Sequence, residues 1–179
     1  MREAIGLAWQ VDPAHSHVGF SVRHMGVGSV RGRFENFEAQ VDIEGGKLKA
    51  VDAKIDVNSV NTRQEMRDGH LKSPDFFDAA THPTIGFKSK RVEPASDGTF
   101  KVLGDLSIRG VTREVTLEGE MSEVIKDPYG NQRVGLSAQG SIIRKDFDLN
   151  YNSILEAGGL VVGDRVKLDI EVEAFQPQA

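Results

Sequence analysis

The chain has 179 residues, of which 39% are hydrophobic and 27% are charged, and it contains no cysteine. This composition is typical of a globular protein, so we expect one domain over residues 1–179 and exclude a disordered, collagenous or disulfide-stapled chain. The formal net charge of −5 disfavours nucleic acid as a partner. No apolar run reaches the ~20 residues of a membrane span, which disfavours stable membrane insertion.

The first ten residues, MREAIGLAWQ, contain neither the apolar core nor the small-residue cleavage site of a secretory leader. We therefore expect a cytoplasmic protein, or a periplasmic one if a leader was removed from the chain. The absence of cysteine is compatible with either compartment.

Alternation of apolar and polar residues predicts strands along most of the chain. The first strand is HVGFSVRH, residues 17–24, in which Val18, Phe20 and Val22 share one face. Seven further strands are predicted from apolar rows in residues 37–43, 51–57, 85–87, 100–108, 111–121, 134–142 and 166–174. The other face of each strand is polar, which is typical of antiparallel strands with one face toward water. Between residues 34 and 37 the row changes parity, and this change predicts a bulge or bend.

One segment near residues 62–72 is helical in character. Thr62 and Glu65 have the spacing of a capping box, in which the hydroxyl and the carboxylate satisfy free amide groups at a helix start. The pattern predicts a short helix that begins at Thr62 and ends near Ser73 and Pro74.

Together these elements predict an all-β fold, an extended eight-stranded antiparallel barrel with one short helical insertion near residues 62–72. A barrel of this size either fills its interior with side chains or holds one small ligand. The inward rows include small residues, namely Ala53, Gly104, Gly119, Ala138 and Gly140. They indicate either an incompletely filled interior, which is a container, or space for phenylalanine rings from opposite strands.

The histidines His15, His17 and His24 lie close together in the sequence. His15 and His17, at i and i+2, would share one face of a strand, a spacing that suits a metal, but a third ligand would have to come from elsewhere. Polar residues at a strand edge are the simpler explanation. No nucleophile elbow and no dinucleotide fingerprint is present, so we expect no catalytic set, no cofactor and no metal.

A set of polar residues is expected at one end of the interior. His24 extends the first apolar row, and further cationic groups lie in or beside the predicted helix: Arg63, Arg67 and His70. They are candidates for contact with an anionic head group, because arginine suits phosphate. The alternative is an exposed turn in which Phe76 and Phe77 cap the barrel.

Several short motifs occur in an order that resembles the YceI-like proteins. They are WQVD (9–12), VGF (18–20), VRH (22–24), VRGRF (30–34), SVNT (59–62), RDGHL (67–71), HPTIGF (82–87), LSIRGVT (106–112) and VGD (162–164). The resemblance covers the chain from Trp9 to Ala174, and so many matches in order make it specific.

The resemblance implies a lipocalin-like barrel that binds, stores or transports a polyisoprenoid lipid, such as a prenyl diphosphate or an isoprenoid quinone, without catalysis. The candidate apolar contacts are Val18, Phe20, Val22, Phe37, Phe76, Phe77, Phe87, Leu106, Leu136, Ile142, Leu168 and Ile170. Two alternatives stay open: a metal-dependent or redox enzyme that uses strand histidines, and a filled barrel that acts through its surface. A homodimer is a further expectation.

Overall fold

The structure is a computed structural model that describes residues 8–153 and 161–178. Most of the first ten residues, on which the expectation about a secretory leader was based, therefore lie outside the described residues. Its strands are β1 (Gln10–Val11), β2 (His17–His24), β3 (Gly28–Phe34), β4 (Phe37–Glu44), β5 (Lys47–Asp56), β6 (Val60–Asn61), β7 (Thr84–Pro94), β8 (Thr99–Ile108), β9 (Val111–Met121), β10 (Ile125–Lys126), β11 (Gln132–Ile143) and β12 (Val162–Gln176). Helix α1 spans Glu65–Lys72, and 3-10 turns span Pro13–His15, Val57–Ser59 and Arg144–Phe147. No helix among the described residues has the length and apolar character needed to cross a bilayer.

The strands form one antiparallel sheet that closes on itself. The order around the ring is β11-β9-β8-β7-β5-β4-β1-β12, and β12 pairs with β11 to complete it. β2 continues β1 along the same edge of β12, β3 continues β4, and β6 continues β5, so the wall has eight strands. The predicted eight-stranded antiparallel barrel is confirmed.

The bend predicted between residues 34 and 37 is confirmed as the break between β3 and β4. The backbone groups of this break are bonded across to the β5–β6 segment, where Glu35 N donates to Ser59 O and Asp56 N donates to Asn36 O. The break therefore lets one long strand change its inward parity without leaving backbone groups unpaired.

The two ends of the barrel carry different connections. The mouth end has the β2–β3 turn, residues 62–83 with α1, the β8–β9 turn and residues 144–153, which follow β11. The far end has the β4–β5 and β7–β8 turns and residues 122–131. Strand pleating points alternate side chains into the space between these ends.

The helix begins later than the capping box predicts. Gln64 is the N-cap residue of α1, and its side chain makes no capping bond. Thr62 is buried, and its amide and hydroxyl both donate to Asp68 Oδ1, at 2.9 and 2.5 Å. Arg67 Nε donates to the Thr62 hydroxyl at 2.8 Å. The predicted cap was wrong because two charged groups inside the helix, Asp68 and Arg67, take up the Thr62 side chain.

A group of charged residues joins β11, β12 and residues 127–131 at the far end. Arg133 Nε donates to Asp127 Oδ2 at 2.8 Å, and Nη1 donates to Glu173 Oε1 at 2.7 Å. Asp127 Oδ1 also accepts the main-chain amides of Tyr129 and Asn131, both at 2.9 Å. Arg133 is the main reason that the pKa of Asp127 falls to about 2, and the amide bonds add to the effect.

We expect Asp127→Asn to destabilise the protein at neutral pH but not in strong acid. A carboxylate whose folded pKa is depressed stabilises the fold above its unfolded pKa, here 3.8, and loses that contribution as the pH falls toward about 2. Melting temperatures of the wild type and the variant should therefore differ at neutral pH and converge near pH 2. Asp52→Asn, on the exposed outer face of β5, is the control and should melt like the wild type throughout. Undiminished separation of the two melting curves in acid would contradict this role of Asp127.

Candidate functional site: an apolar cavity with one mouth

The barrel encloses a cavity of about 470 Å³, within the ~300–1,000 Å³ range of small-molecule sites. Its wall is almost entirely apolar. The residues predicted for the apolar interior all line it: Val18, Phe20, Val22, Phe37, Phe76, Phe77, Phe87, Leu106, Leu136, Ile142, Leu168 and Ile170. The strand residues among them lie where the strand parity places them, and Phe76 and Phe77 lie in the segment between α1 and β7. Contact of these residues with a ligand stays a prediction.

The small inward residues serve two purposes, so both interpretations of them hold in part. A β-carbon at Gly104 would lie 2.5 Å from Phe87 Cζ, so Gly104 accommodates an aromatic ring. A β-carbon at Gly119 would collide with the main-chain oxygen of Ser137 and would lie 2.9 Å from Phe100 Cζ, so Gly119 accommodates both the neighbouring strand and a ring. The alanines instead leave space in the cavity wall: Ala39, Ala53 and Ala138.

The cavity is long and narrow. Along β12 its lining residues extend from Val162 to Val172, roughly 33 Å of strand at about 3.3 Å per residue. With a strand tilt of about 40°, this length corresponds to roughly 25 Å along the barrel axis. A volume of about 470 Å³ spread over that length suits an extended chain better than a compact molecule.

The cavity opens at the mouth end. Toward the far end the lining residues are buried, and Leu48 and Val102 are each 2% exposed. At the mouth end His24 is exposed and Tyr151 is 37% exposed, although both line the same cavity. A chain-like ligand would therefore lie with its tail toward Leu48 and its head group beside His24 and Tyr151.

Three of the polar residues predicted for a head group line the mouth, namely His24, Arg67 and His70. Arg63 does not line the cavity, which departs from the prediction. It precedes α1 with a φ of 63°, and its side chain is exposed. Because the helix begins only at Glu65, the chain turns at Arg63, and its side chain lies in solvent rather than in the cavity wall.

Three rings pack together at the mouth. The His70 ring lies 5.0 Å from Phe76 and 4.8 Å from Tyr151 between centroids, nearly perpendicular to both. His70 Nε2 is 2.8 Å from Asp75 Oδ2, so a hydrogen bond holds the imidazole in place. Arg109 Nη1 donates to Phe76 O at 2.6 Å and ties the chain after α1 to the β8–β9 turn. The aromatic cluster of His70, Phe76 and Tyr151 thus gives the mouth a fixed set of ring surfaces.

Arg144 joins the residues that follow β11 to the start of β12. Its side chain is almost fully buried, and burial lowers its pKa. Nε donates to Gly163 O at 2.8 Å, while Nη1 donates to Leu149 O at 2.6 Å and to Tyr151 O at 2.8 Å. Nη2 donates to Val162 O at 3.3 Å. Arg144 lines the cavity as well, but its donors are already engaged by main-chain oxygens.

The strand histidines do not form the metal site that their spacing allowed. His15 lies in a 3-10 turn before β2, so it does not share a strand face with His17. Its Nδ1 bonds Asp12 Oδ2 at 2.9 Å, which raises the pKa of His15, and Glu173 lies in the same cluster. Arg133 Nη1 lies 2.7 Å from Glu173 and 3.4 Å from Asp12. Among the described residues, the guanidinium of Arg133 is therefore the cation that the carboxylates of Asp12 and Glu173 already pair with.

Comparison with known proteins identifies the family. Residues 9–174 match the YceI-like domain. The chain belongs to the YceI-like family. A UPF0312 protein of Staphylococcus aureus strain MSSA476 is 38% identical to it over 165 residues, which cover 90% of this chain and 94% of the relative.

Two solved structures share the fold of this YceI-like protein. The Campylobacter jejuni YCEI protein is 33% identical, with a TM-score of 0.76 over 99% of this chain and 100% of that one. A polyisoprenoid binding domain from Saccharophagus degradans, implicated in plant cell wall breakdown, is 20% identical, with a TM-score of 0.69 over 96% of this chain and 99% of that one. This second likeness is one of fold, and it confirms the lipocalin-like architecture of the YceI-like barrel.

Sequence reasoning missed several lining residues of this YceI-like protein, among them Arg144 and Tyr151. Arg144 continues the even-numbered inward row of β11 beyond Ile142, so a cation on an apolar row was a usable signal. Tyr151 stands in an irregular segment between β11 and β12, where no periodicity assigns a side chain to a face.

Proposed function

We propose that this YceI-like protein binds one polyisoprenoid lipid in its barrel and stores or transports it. The cavity carries the proposal, because it is apolar, long, narrow and open at one end, with a volume of about 470 Å³. A polyisoprenoid is an extended apolar chain with one head group, which matches that shape. The related fold from Saccharophagus degradans is described as a polyisoprenoid binding domain, so this architecture is able to perform the task.

Apolar burial supplies most of the affinity. Each buried methylene contributes about 0.8 kcal/mol, so one five-carbon isoprene unit contributes roughly 4 kcal/mol before the costs of association. Such burial has little directionality. The depth of the cavity therefore selects the chain length, and the residues at the mouth select the head group.

The mouth suits an uncharged ring better than a diphosphate. Arg67 directs Nε and Nη2 to Thr62, and Arg144 is surrounded by main-chain oxygens. A diphosphate would have to break these bonds to pair with Arg67 or Arg144, which leaves only the exposed Arg23 as an accessible arginine among the described lining residues. The aromatic cluster at the mouth instead offers faces and edges against which a quinone-like ring packs.

Binding without catalysis is part of the proposal. Two of the titratable groups that line the cavity are held by structural partners: His70 bonds Asp75, and Arg144 bonds main-chain oxygens. The enzyme alternative required His15 and His17 to act together, and they lie in different elements of the fold. The surface-module alternative required a filled interior, whereas the barrel contains the cavity.

Titrations with two lipids of equal chain length test the proposal and its head group. We expect a prenyl quinone to bind at least about tenfold more tightly than the prenyl diphosphate, a difference of about 1.4 kcal/mol, with little dependence on salt. Tyr151→Ala should weaken quinone binding, while Tyr129→Ala, at the exposed far end, should not. Tighter, salt-sensitive binding of the diphosphate would overturn the head-group assignment. Failure to bind either lipid would overturn the proposed function.

A further inference from the structure

We propose that the mouth end docks on the surface of a lipid bilayer, where the protein loads and releases its ligand. This inference rests on the proposed function. A polyisoprenoid has almost no tendency to enter water, because its apolar surface is poorly hydrated. Contact between the mouth and a bilayer lets the chain move from one apolar environment to another without crossing water.

Large apolar side chains are exposed around the mouth. Val27 is 81% exposed, Met66 is 87% exposed and Met25 is 43% exposed. Met25 N donates to Val161 O at 2.8 Å, and Val161 lines the cavity, so the β2–β3 turn lies beside the opening. Met66 adjoins Arg67, which also lines the cavity. We refer to Met25, Val27 and Met66 as the docking rim.

The docking rim differs from ordinary scattered surface residues. Single exposed apolar side chains are common, but a group of them at the opening of an apolar cavity marks a site of interaction. The φ angles of 53° at Met25 and 70° at Gly26 make the β2–β3 turn tight, and Val27 follows at its tip. Met25 and Val27 therefore lie in the tight turn that joins β2 and β3 at the mouth end.

The charges beside the rim suit a bilayer that contains anionic lipids. Arg23, at the end of β2, is exposed and donates to Gly26 O at 3.2 Å. Arg63 is exposed, does not line the cavity and forms no ion pair among the described residues. Glu65 and the net charge of −5 oppose this attraction. Docking therefore depends mainly on apolar insertion, which favours weak and reversible attachment.

Uptake of a prenyl quinone from vesicles tests the docking rim. Ligand-free protein is mixed with phosphatidylcholine vesicles that contain a minor fraction of phosphatidylglycerol and the quinone, and flotation then separates vesicles from protein. We expect Val27→Asp and Met66→Asp each to slow uptake by roughly tenfold, since each replaces an inserting apolar group by a charge. Tyr129→Asp, which alters an equally exposed residue at the far end, should leave uptake unchanged. All variants should take up quinone from detergent solution like the wild type.

The outcomes separate this inference from the proposed function. Membrane docking would be overturned if both rim variants took up quinone from vesicles at the wild-type rate. It would also be overturned if Tyr129→Asp slowed uptake as much as the rim variants do. Sedimentation showing that the rim joins two copies of the chain and that Val27→Asp separates them would overturn it as well. Wild-type protein that takes up no quinone, even from detergent, would overturn the proposed function instead.

Discussion

Replacing Arg144 by methionine is expected to destabilise the protein by about 3 kcal/mol. The substitution removes the donors that bond the main-chain oxygens of Leu149, Tyr151, Val162 and Gly163. A buried acceptor left without a partner costs about 1–3 kcal/mol, and the oxygen of the buried Leu149 is the clearest case, whereas Val162 O keeps the Asn152 amide at 2.7 Å. Relief of the buried charge offsets part of the loss. Urea unfolding measures the effect as a lower midpoint with an unchanged slope.

Two further variants serve as comparisons for Arg144→Met. Arg144→Lys should recover little stability, because an ammonium group does not reach several separated oxygens as a guanidinium does. Lys145→Met changes the neighbouring side chain, which is 48% exposed and pairs with Asp164 at 3.4 Å, and it should cost less than about 1 kcal/mol. If Arg144→Met were no less stable than Lys145→Met, the connection over the mouth would not depend on Arg144.

Filling the cavity at Ala53 is expected to abolish binding of a long prenyl chain while the barrel stays folded. Ala53 and Ala39 are partners across β5 and β4 and both line the cavity, so a benzyl group at position 53 enters open space about halfway down the barrel. Ala53→Phe should therefore weaken a long-chain quinone by at least about tenfold, or about 1.4 kcal/mol. A short-chain quinone, which occupies only the half near the mouth, should lose much less.

Lys54→Phe is the matched control because it places the same ring on the outer face of the same strand. It should bind both quinones like the wild type. Equal losses in Ala53→Phe and Lys54→Phe would show that the ring perturbs β5 rather than fills the cavity. Unchanged long-chain binding in Ala53→Phe would place the ligand outside the barrel.

The barrel wall could be predicted from sequence because strand pleating is a local property. Val18, Phe20 and Val22 alternate with polar residues, and all three line the cavity. The break between β3 and β4 could also be predicted from the sequence, because a change of parity in the apolar row has few explanations other than a bulge or bend.

The free space inside the barrel could not be predicted in the same way. Gly104 and Ala53 look equivalent as small inward residues, yet Gly104 makes room for the Phe87 ring and Ala53 leaves the cavity open. The difference depends on the rotamers of side chains on neighbouring strands, which no single strand encodes.

The mouth depends on contacts between segments that are distant in sequence or irregular in structure. Thr62 matched a capping box, but Asp68 and Arg67 bind its side chain. The Tyr151 ring packs against His70, and its main-chain oxygen accepts a bond from Arg144. Local propensity rules do not include such partners. Of the residues predicted for a head group, His24, Arg67 and His70 line the cavity and Arg63 does not, and their contact with a ligand stays a prediction.

Native mass spectrometry of the purified protein with a long-chain prenyl quinone shows whether the barrel holds one lipid. We expect a one-to-one complex, either with the added quinone or with a co-purified polyisoprenoid lipid. The complex should persist in Lys54→Phe and be lost in Ala53→Phe. A folded wild-type protein that carries no lipid and accepts none, or a complex that survives Ala53→Phe undiminished, would contradict this expectation.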